Sequence, residues 1–260
     1  IMLFFSIWGF FILKRYEKLG YISIDHNIES FGADILVLHN VYTCQFKQDS
    51  RSKLKKAKQF LNPIFSFRIF REWISVNLGR CSTLISVSED ALKEARLLNK
   101  KNKRSIVVEN GVDDERFKPL PLHEKENIRS QLNAKDKFVI LFVGHEFVRK
   151  RLDLSISALS ELSEDYELWV IGGRFDNVSF FKSLCKEKNV ENRVKFIGST
   201  NEPEKYMSAA DCFILVSDYE TWGMVVIESL ASGTPVIMTD IGCAQAVIKD
   251  SKNGYIVESN

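Results

Sequence analysis

Five short apolar runs, each separated from the next by one helix-length stretch, occupy residues 138–240 and restrict the fold more than any other feature of this chain. Residues 138–143, 168–171, 194–197, 212–216 and 236–238 have strand length, and 152–162, 179–188, 204–210 and 224–232 have helix length. Gly233 and Pro235 stop the last helix, because one readily takes the left-handed conformation that ends a helix and the other cannot continue it. Two apolar strands joined by a single helix form a βαβ unit, whose strands are parallel. Repetition of that unit predicts a doubly wound α/β sheet.

The first half uses similar parts. Residues 21–25 (YISID) and 33–38 (ADILVL) read as short strands, each ending in a His-Asn pair, His26-Asn27 and His39-Asn40. A helical stretch over 62–79, a strand over 82–88, a helix over 89–99 capped by Ser88 and a strand over 106–109 follow. Asn110-Gly111 then makes a tight turn. The polar, proline-containing stretch after it reads as a connection with a short helix at 124–133. The expected organisation is a first domain over 1–118, a linker over 119–136 and a second domain over 137–260. At 45% hydrophobic, the chain can bury one large core or two moderate ones.

The five cysteines are scattered and form no C-x-x-C pair, which argues against a disulfide framework or a zinc site and fits a reducing cytoplasm. Net charge is +2 but unevenly divided: residues 1–118 hold 20 Lys or Arg against 13 Asp or Glu, a net of +7, and the remainder holds 16 against 21. A basic half suits an anionic neighbour. Its densest run, KQDSRSKLKKAK over 47–58, reads either as a solvated helix face or as a patch facing anionic lipid, and the aromatic residues after it (Phe60, Phe65, Phe67, Phe70, Trp73) add weight to lipid. The N-terminal run IMLFFSIWGFFIL is shorter than the about 20 apolar residues a spanning helix needs. Its positive charge follows the apolar stretch, the reverse of a signal peptide. It is expected to be a buried helix whose partners are partly missing, in a chain that begins partway through a larger protein. Walker and G-x-G-x-x-G loops do not occur, so dinucleotide and P-loop readings lose their main support, and no residue cluster suggests a metal. Neither a metal nor a nucleic acid partner is expected.

Candidate ligand groups fall just past strand ends, where open α/β sheets bind: Gly144 and Lys150, 172–174, Ser199, 217–220 and 240–242. Arg149, Lys150 and Arg151 set three consecutive cations beside a helix start, where they oppose the helix dipole. A bound anion would explain them, and plain surface exposure is the alternative. Glu220 precedes a second helix, Glu228 lies inside it eight positions on, and Gly223 stands at the turn between them. Free N–H groups at that helix start attract anions. Carboxylates there suit a ligand with phosphate for the amides and hydroxyls for the carboxylates, as a sugar nucleotide has. The alternative is a first-turn acid favoured by the dipole, and a solvated Glu228.

Glu220-Thr-Trp-Gly-Met-Val-Val-Ile-Glu228, followed by Ser-Leu-Ala-Ser-Gly-Thr-Pro-Val, resembles the signature of two glutamates with seven residues between them in the retaining GT-B glycosyltransferases of family GT4. V-S-E over 87–89 and N-G-V-D-x-x-x-F-x-P over 110–119 resemble further landmarks of that family. The resemblance implies two Rossmann-like doubly wound domains facing each other across a cleft. The N-terminal domain would be incomplete, lacking its first strand and Gly-rich loop, and the C-terminal domain would lack its crossover helix. It implies that Glu228 holds the nucleotide ribose, that Glu220 contacts the donor sugar, and that the amides of Gly223, Met224 and Val225 meet sugar or phosphate. Lys150 would bind the donor diphosphate with Arg149 as its partner, while Arg151 stands where glycine is usual. Gly144, Gly173 and Ser199 join them as donor-site residues, and His39, with His26 as second choice, would reach the donor sugar from the first domain.

The activity so implied is metal-independent, retaining transfer of a hexose from a UDP- or GDP-sugar to a cell-surface polysaccharide, lipopolysaccharide or lipid-linked glycan, with no cofactor besides the donor. Retention without a carboxylate nucleophile would leave the departing phosphate to help deprotonate the acceptor. The alternatives are a non-catalytic nucleotide-sugar-binding or scaffold module, and a GT-B epimerase or hydrolase. The expected setting is the cytoplasm, with peripheral contact on the inner face of the cell membrane.

Overall fold

The computed structural model describes residues 2–43, 61–101, 103–173 and 175–258, and the chain divides into two compact units, Ile1–Asn110 and Gly111–Asn260. The first unit runs α1 (Met2–Glu17), β1 (Ile24–His26), β2 (Ile35–Leu38), α2 (Pro63–Asn77), β3 (Thr83–Ser86), α3 (Glu89–Leu98) and β4 (Arg104–Val107). Its strands are parallel and stand in chain order β1-β2-β3-β4. Ala33, Leu36, Val76, Cys81 and Leu84 form one buried cluster, and Ile28, Leu38 and Ala95 another. Ser88 caps α3 by accepting the Ala91 N–H at 3.1 Å. Buried carboxylates secure the loops after the first two strands. Asp25 accepts from the Glu29 and Ser30 amides. Glu72, 1% exposed, accepts from the amides of Tyr42 and Thr43 at 2.8 and 3.1 Å, and its burial raises its pKa against the opposing pull of those bonds. The basic run 47–58, together with Phe60, lies outside the described residues.

The N-terminal run is a helix, as expected, and only one side of it is covered among the described residues. Ser6 is fully buried and bonds the Glu29 carbonyl, Gly9 lies against Ser30, and the Phe10 ring covers Gly32. Phe4, Trp8 and Phe11 remain 72%, 55% and 63% exposed. Apolar residues run all round this helix, so a single packing contact cannot cover them.

The second unit contains α4 (Leu122–Gln131), β5 (Phe138–Gly144), α5 (Leu152–Ser160), β6 (Tyr166–Gly172), α6 (Phe175–Glu187), β7 (Val194–Gly198), α7 (Pro203–Ala209), β8 (Cys212–Leu215), α8 (Met224–Ala231), β9 (Val236–Thr239), α9 (Ala244–Val247) and β10 (Gly254–Val257). Six parallel strands stand in the order β10-β9-β8-β5-β6-β7. Strand β6 is buried from Glu167 to Gly172, which is why it reads as a continuous apolar run instead of an alternating one. Phe142, Phe147, Leu152, Ile156, Leu168, Val170 and Phe181 pack a core on that part of the sheet. The short α9 and β10 carry no signal long enough to have been anticipated.

Residues 119–136, expected as a linker, fold into the second unit, whose boundary lies at Gly111. Helix α4 packs against α7. Arg129 pairs with Asp211 at the start of β8, the Leu120 amide donates to Ser208 Oγ at 2.7 Å, and Phe117 is buried. These partners lie far along the chain, so a local reading of the polar segment could not show them.

Candidate functional site

The order of the second sheet reverses between β5 and β8: the chain builds outward through β6 and β7, then returns to the other side of β5. Loops leaving two such strands diverge at their carboxyl ends, which is where open α/β sheets hold ligands. Residues 145–151 leave β5 and 216–223 leave β8, and they meet through charged side chains. Lys150 Nζ donates to Glu220 Oε1 at 2.8 Å, Arg149 Nη1 lies 3.2 Å from the same oxygen, and Ser217 Oγ donates to it at 3.2 Å. Lys150 is only 8% exposed, and the Glu220 side chain 11%. Arg149 also donates to the Tyr219 carbonyl and to Glu146 Oε2, the latter at 2.9 Å. Burial would lower the Arg149 pKa, but Glu220 and Glu146 outweigh it and raise it.

Arg151 donates to Asp153 and, at 3.1 Å, to Asp218. Each of the three consecutive cations thus has a carboxylate partner within the protein, and the counter-charge that the helix dipole calls for is supplied by Glu146, Glu220, Asp153 and Asp218. Of these, Glu146 and Asp153 were not singled out from the sequence, although the spacing of three between Glu146 and Arg149 is the local signal for such a pair.

Close backbone approach holds the lysine in place. A Cβ on Gly144 would fall 2.2 Å from Lys150 Cδ, so the lysine stem lies directly across that glycine. Gly173 donates its N–H to the Gly144 carbonyl at 3.0 Å, and a Cβ on Gly173 would strike the Phe147 ring. Arg151 has φ 53 and ψ 49, a left-handed conformation that costs an L side chain about 1–2 kcal/mol. That requirement accounts for glycine in the resembled pattern, and the two aspartates offset part of the cost here.

Helix α8 starts after Gly223, itself at φ 93, and no side chain caps its first turn. The amides of Met224 and Val225 therefore begin the helix without an intrahelical partner. Met224 is 40% exposed. Glu228 sits one helix turn further in, half-buried. Burial raises its pKa and Glu204 adds to the rise, while Arg116 and Lys150 oppose it. Arg116 is itself held by Glu204 at 3.0 Å. The neighbouring Trp222 is buried with its indole N–H unpartnered among the described residues.

The structure thus gathers Gly144, Arg149, Lys150, Gly173 and Glu220 directly, and sets Gly223, Met224, Val225 and Glu228 on the adjoining helix start. Ser199 is exposed past β7, which is separated from β5 by β6. His39 belongs to the first unit. There its Nε2 lies 2.9 Å from Nδ1 of His26, the rings near-parallel at 17° with centroids 5.2 Å apart. The centroid separation exceeds the N···N distance by about one ring width, which makes the contact a head-on in-plane hydrogen bond between the two imidazoles. Burial first, and the charge of His26 second, lower the His39 pKa. Both histidines that the sequence offered as alternatives are joined in one pair.

The family model for glycosyl transferases group 1 matches residues 124–260, more than half of the chain. The chain belongs to this family. This group 1 glycosyl transferase is 30% identical over 250 residues to an uncharacterized glycosyltransferase of Methanocaldococcus jannaschii, across 94% of this chain and 58% of the relative. It is 30% identical over 138 residues to the lipopolysaccharide glucosyltransferase WaaG of Escherichia coli K12, across 52% of this chain and 35% of WaaG. Among solved structures, WaaG superposes with a TM-score of 0.75 at 20% identity over 95% of this chain and 67% of that one. Anabaena HepE in complex with UDP-glucose superposes with a TM-score of 0.71 at 21% identity over 87% and 58%. These superpositions establish the α/β GT-B fold of the group 1 chain, which spans just under three fifths of the length of the archaeal relative.

Proposed function

We propose that this protein is a retaining, metal-independent hexosyltransferase that takes its sugar from a UDP- or GDP-linked donor and passes it to a cell-surface or lipid-linked glycan. The observation that carries the reading is the convergence of Lys150 and Arg149 with Glu220 beside the uncapped start of α8, with Glu228 on the same helix. The two cations suit a diphosphate, the free amides its oxygens, and the two carboxylates sugar and ribose hydroxyls. As the sugar–phosphate bond breaks, charge moves onto the phosphate, and preorganised cations at that point stabilise the transition state more than the ground state. The leaving phosphate then takes the acceptor proton on the same face.

Two relatives support the substrate class. HepE is described in complex with UDP-glucose, and WaaG is named a lipopolysaccharide glucosyltransferase. A peripheral site on an anionic membrane fits the +7 charge of residues 1–118 and the exposed aromatic residues of α1. Among the described residues no helix is long and apolar enough to cross a membrane.

Incubation of the protein with UDP-glucose, UDP-galactose and GDP-mannose, with glycan or lipid-linked acceptors, tests the reading through nucleotide release and the anomeric configuration of the product. Release of UDP or GDP with a retained anomer is the expected result. Inversion would refute the retaining mechanism, and absence of both binding and release across the panel would refute the transferase.

A further inference from the structure

Among the described residues the Lys150 ammonium has one carboxylate partner, Glu220, and that contact is short and largely shielded from water. Arg149 differs, because it shares itself between Glu220 and the far more exposed Glu146. A diphosphate that takes up Lys150 must therefore displace a carboxylate already in place. What becomes of that carboxylate depends on the ligand. A nucleoside diphosphate offers it only more negative charge, whereas a nucleotide sugar brings hydroxyl donors to the same place.

We propose that Glu220 is a resident counter-ion that makes the site select a sugar-bearing diphosphate over the bare diphosphate product. This rests on the donor-site reading above. The displaced carboxylate recovers hydrogen bonds from the sugar of the donor, and recovers none from UDP or GDP. Glu220 thereby lowers product affinity selectively and favours product departure, a role beyond contact with the donor. Ser217, whose hydroxyl remains bonded to Glu220 Oε1, keeps the displaced group near the site.

Calorimetry with UDP, UDP-glucose, GDP and GDP-mannose on wild type, Glu220→Gln and Glu146→Gln decides the matter. Glu220→Gln should bind the bare diphosphate about tenfold tighter, the size of one charge-assisted contact no longer to be displaced. It should not gain for the sugar nucleotide, so the ratio of the two affinities falls about tenfold. Glu146→Gln removes the same unit of charge from an exposed position and should change either affinity less than about twofold. Glu220→Asp keeps the charge but withdraws it by one methylene, and covers the case in which Glu220→Gln fails to fold. It should show a smaller gain in the same direction. Unchanged or weaker UDP and GDP affinity in the Glu220 variants overturns the proposal, as does an equal gain in Glu146→Gln. If no nucleotide binds wild type or any variant, the donor-site reading itself falls, an outcome distinct from the others.

Discussion

Lys150 Nζ lies 2.8 Å from Glu220 Oε1 although 70 positions separate the two residues in the chain. The link between them is the sheet. Strands β5 and β8 pair directly, Ile140 opposite Cys212 and Leu141 opposite Phe213, so the loops that leave them emerge side by side. The cation of one loop then neutralises the carboxylate of the other where both are mostly shielded from water.

Lys150→Ala should lower kcat by about 10² or more, the size found for one preorganised electrostatic donor. Affinity for free UDP or GDP should fall as well. Lys150→Arg should restore only part of the rate, since a planar fork replaces a compact charge on a stem pressed against Gly144. Steady-state kinetics check this, and a kcat within about twofold of wild type for Lys150→Ala would remove the lysine from the reaction.

In the proposed ribose-binding role, Glu228 would link nucleotide binding to pH. Burial raises its pKa, so the fold disfavours its ionised form. The stability it contributes is present below the unfolded-state value and lost as pH rises through the folded-state value. Ribose binding follows the opposite trend, because only the carboxylate accepts two hydroxyl hydrogen bonds. Donor affinity should therefore rise with pH through and above the ordinary carboxylate range. Glu228→Gln should flatten that dependence and weaken binding by about 1.5–3 kcal/mol at neutral pH. Calorimetry at several pH values measures both, and wild-type affinity in a folded Glu228→Gln protein would contradict the ribose role.

Two glycines in left-handed conformations should respond very differently to alanine. At Gly172, φ is +100 and a Cβ would sit 2.2 Å from the Gly144 carbonyl oxygen, so backbone must move and more than about 3 kcal/mol of stability should be lost. At Gly198, φ is +84 with nothing within 4 Å of the added carbon, and only the conformational cost of about 1–2 kcal/mol remains. Urea denaturation of both variants compares them, and equal losses would show that the close approach at Gly144 is not a constraint.

Binding to vesicles should be stronger for anionic than for neutral lipid and should weaken with salt, since the +7 imbalance of residues 1–118 acts through screened Coulomb forces. Flotation with both vesicle types at low and high salt reads this directly. Equal partition onto the two would eliminate the electrostatic contact.

Strands β5 to β9 and helices α5 to α8 were legible from residues alone, because a strand buried on both faces needs an unbroken apolar run and Gly233 and Pro235 mark a helix end by their own backbone chemistry. Glu146 and Asp153 were not legible, whereas Arg149, Lys150 and Glu220 were for a related reason, since each stands in a loop that leaves a strand end, and Glu228 was legible from its spacing to Glu220. Their partnerships were not. His26 and His39 bond because β1 and β2 are neighbours in a register that sets His26 opposite Val37, and the polar stretch around α4 joins the second unit through Arg129 and Asp211. Glu220 meets Lys150 only because the chain turns back after β7 to lay β8 against β5. Hydrophobic periodicity depends on near neighbours in the chain and is written locally. Strand order is chosen by the packing of distant segments, so it alone decides which charges face one another.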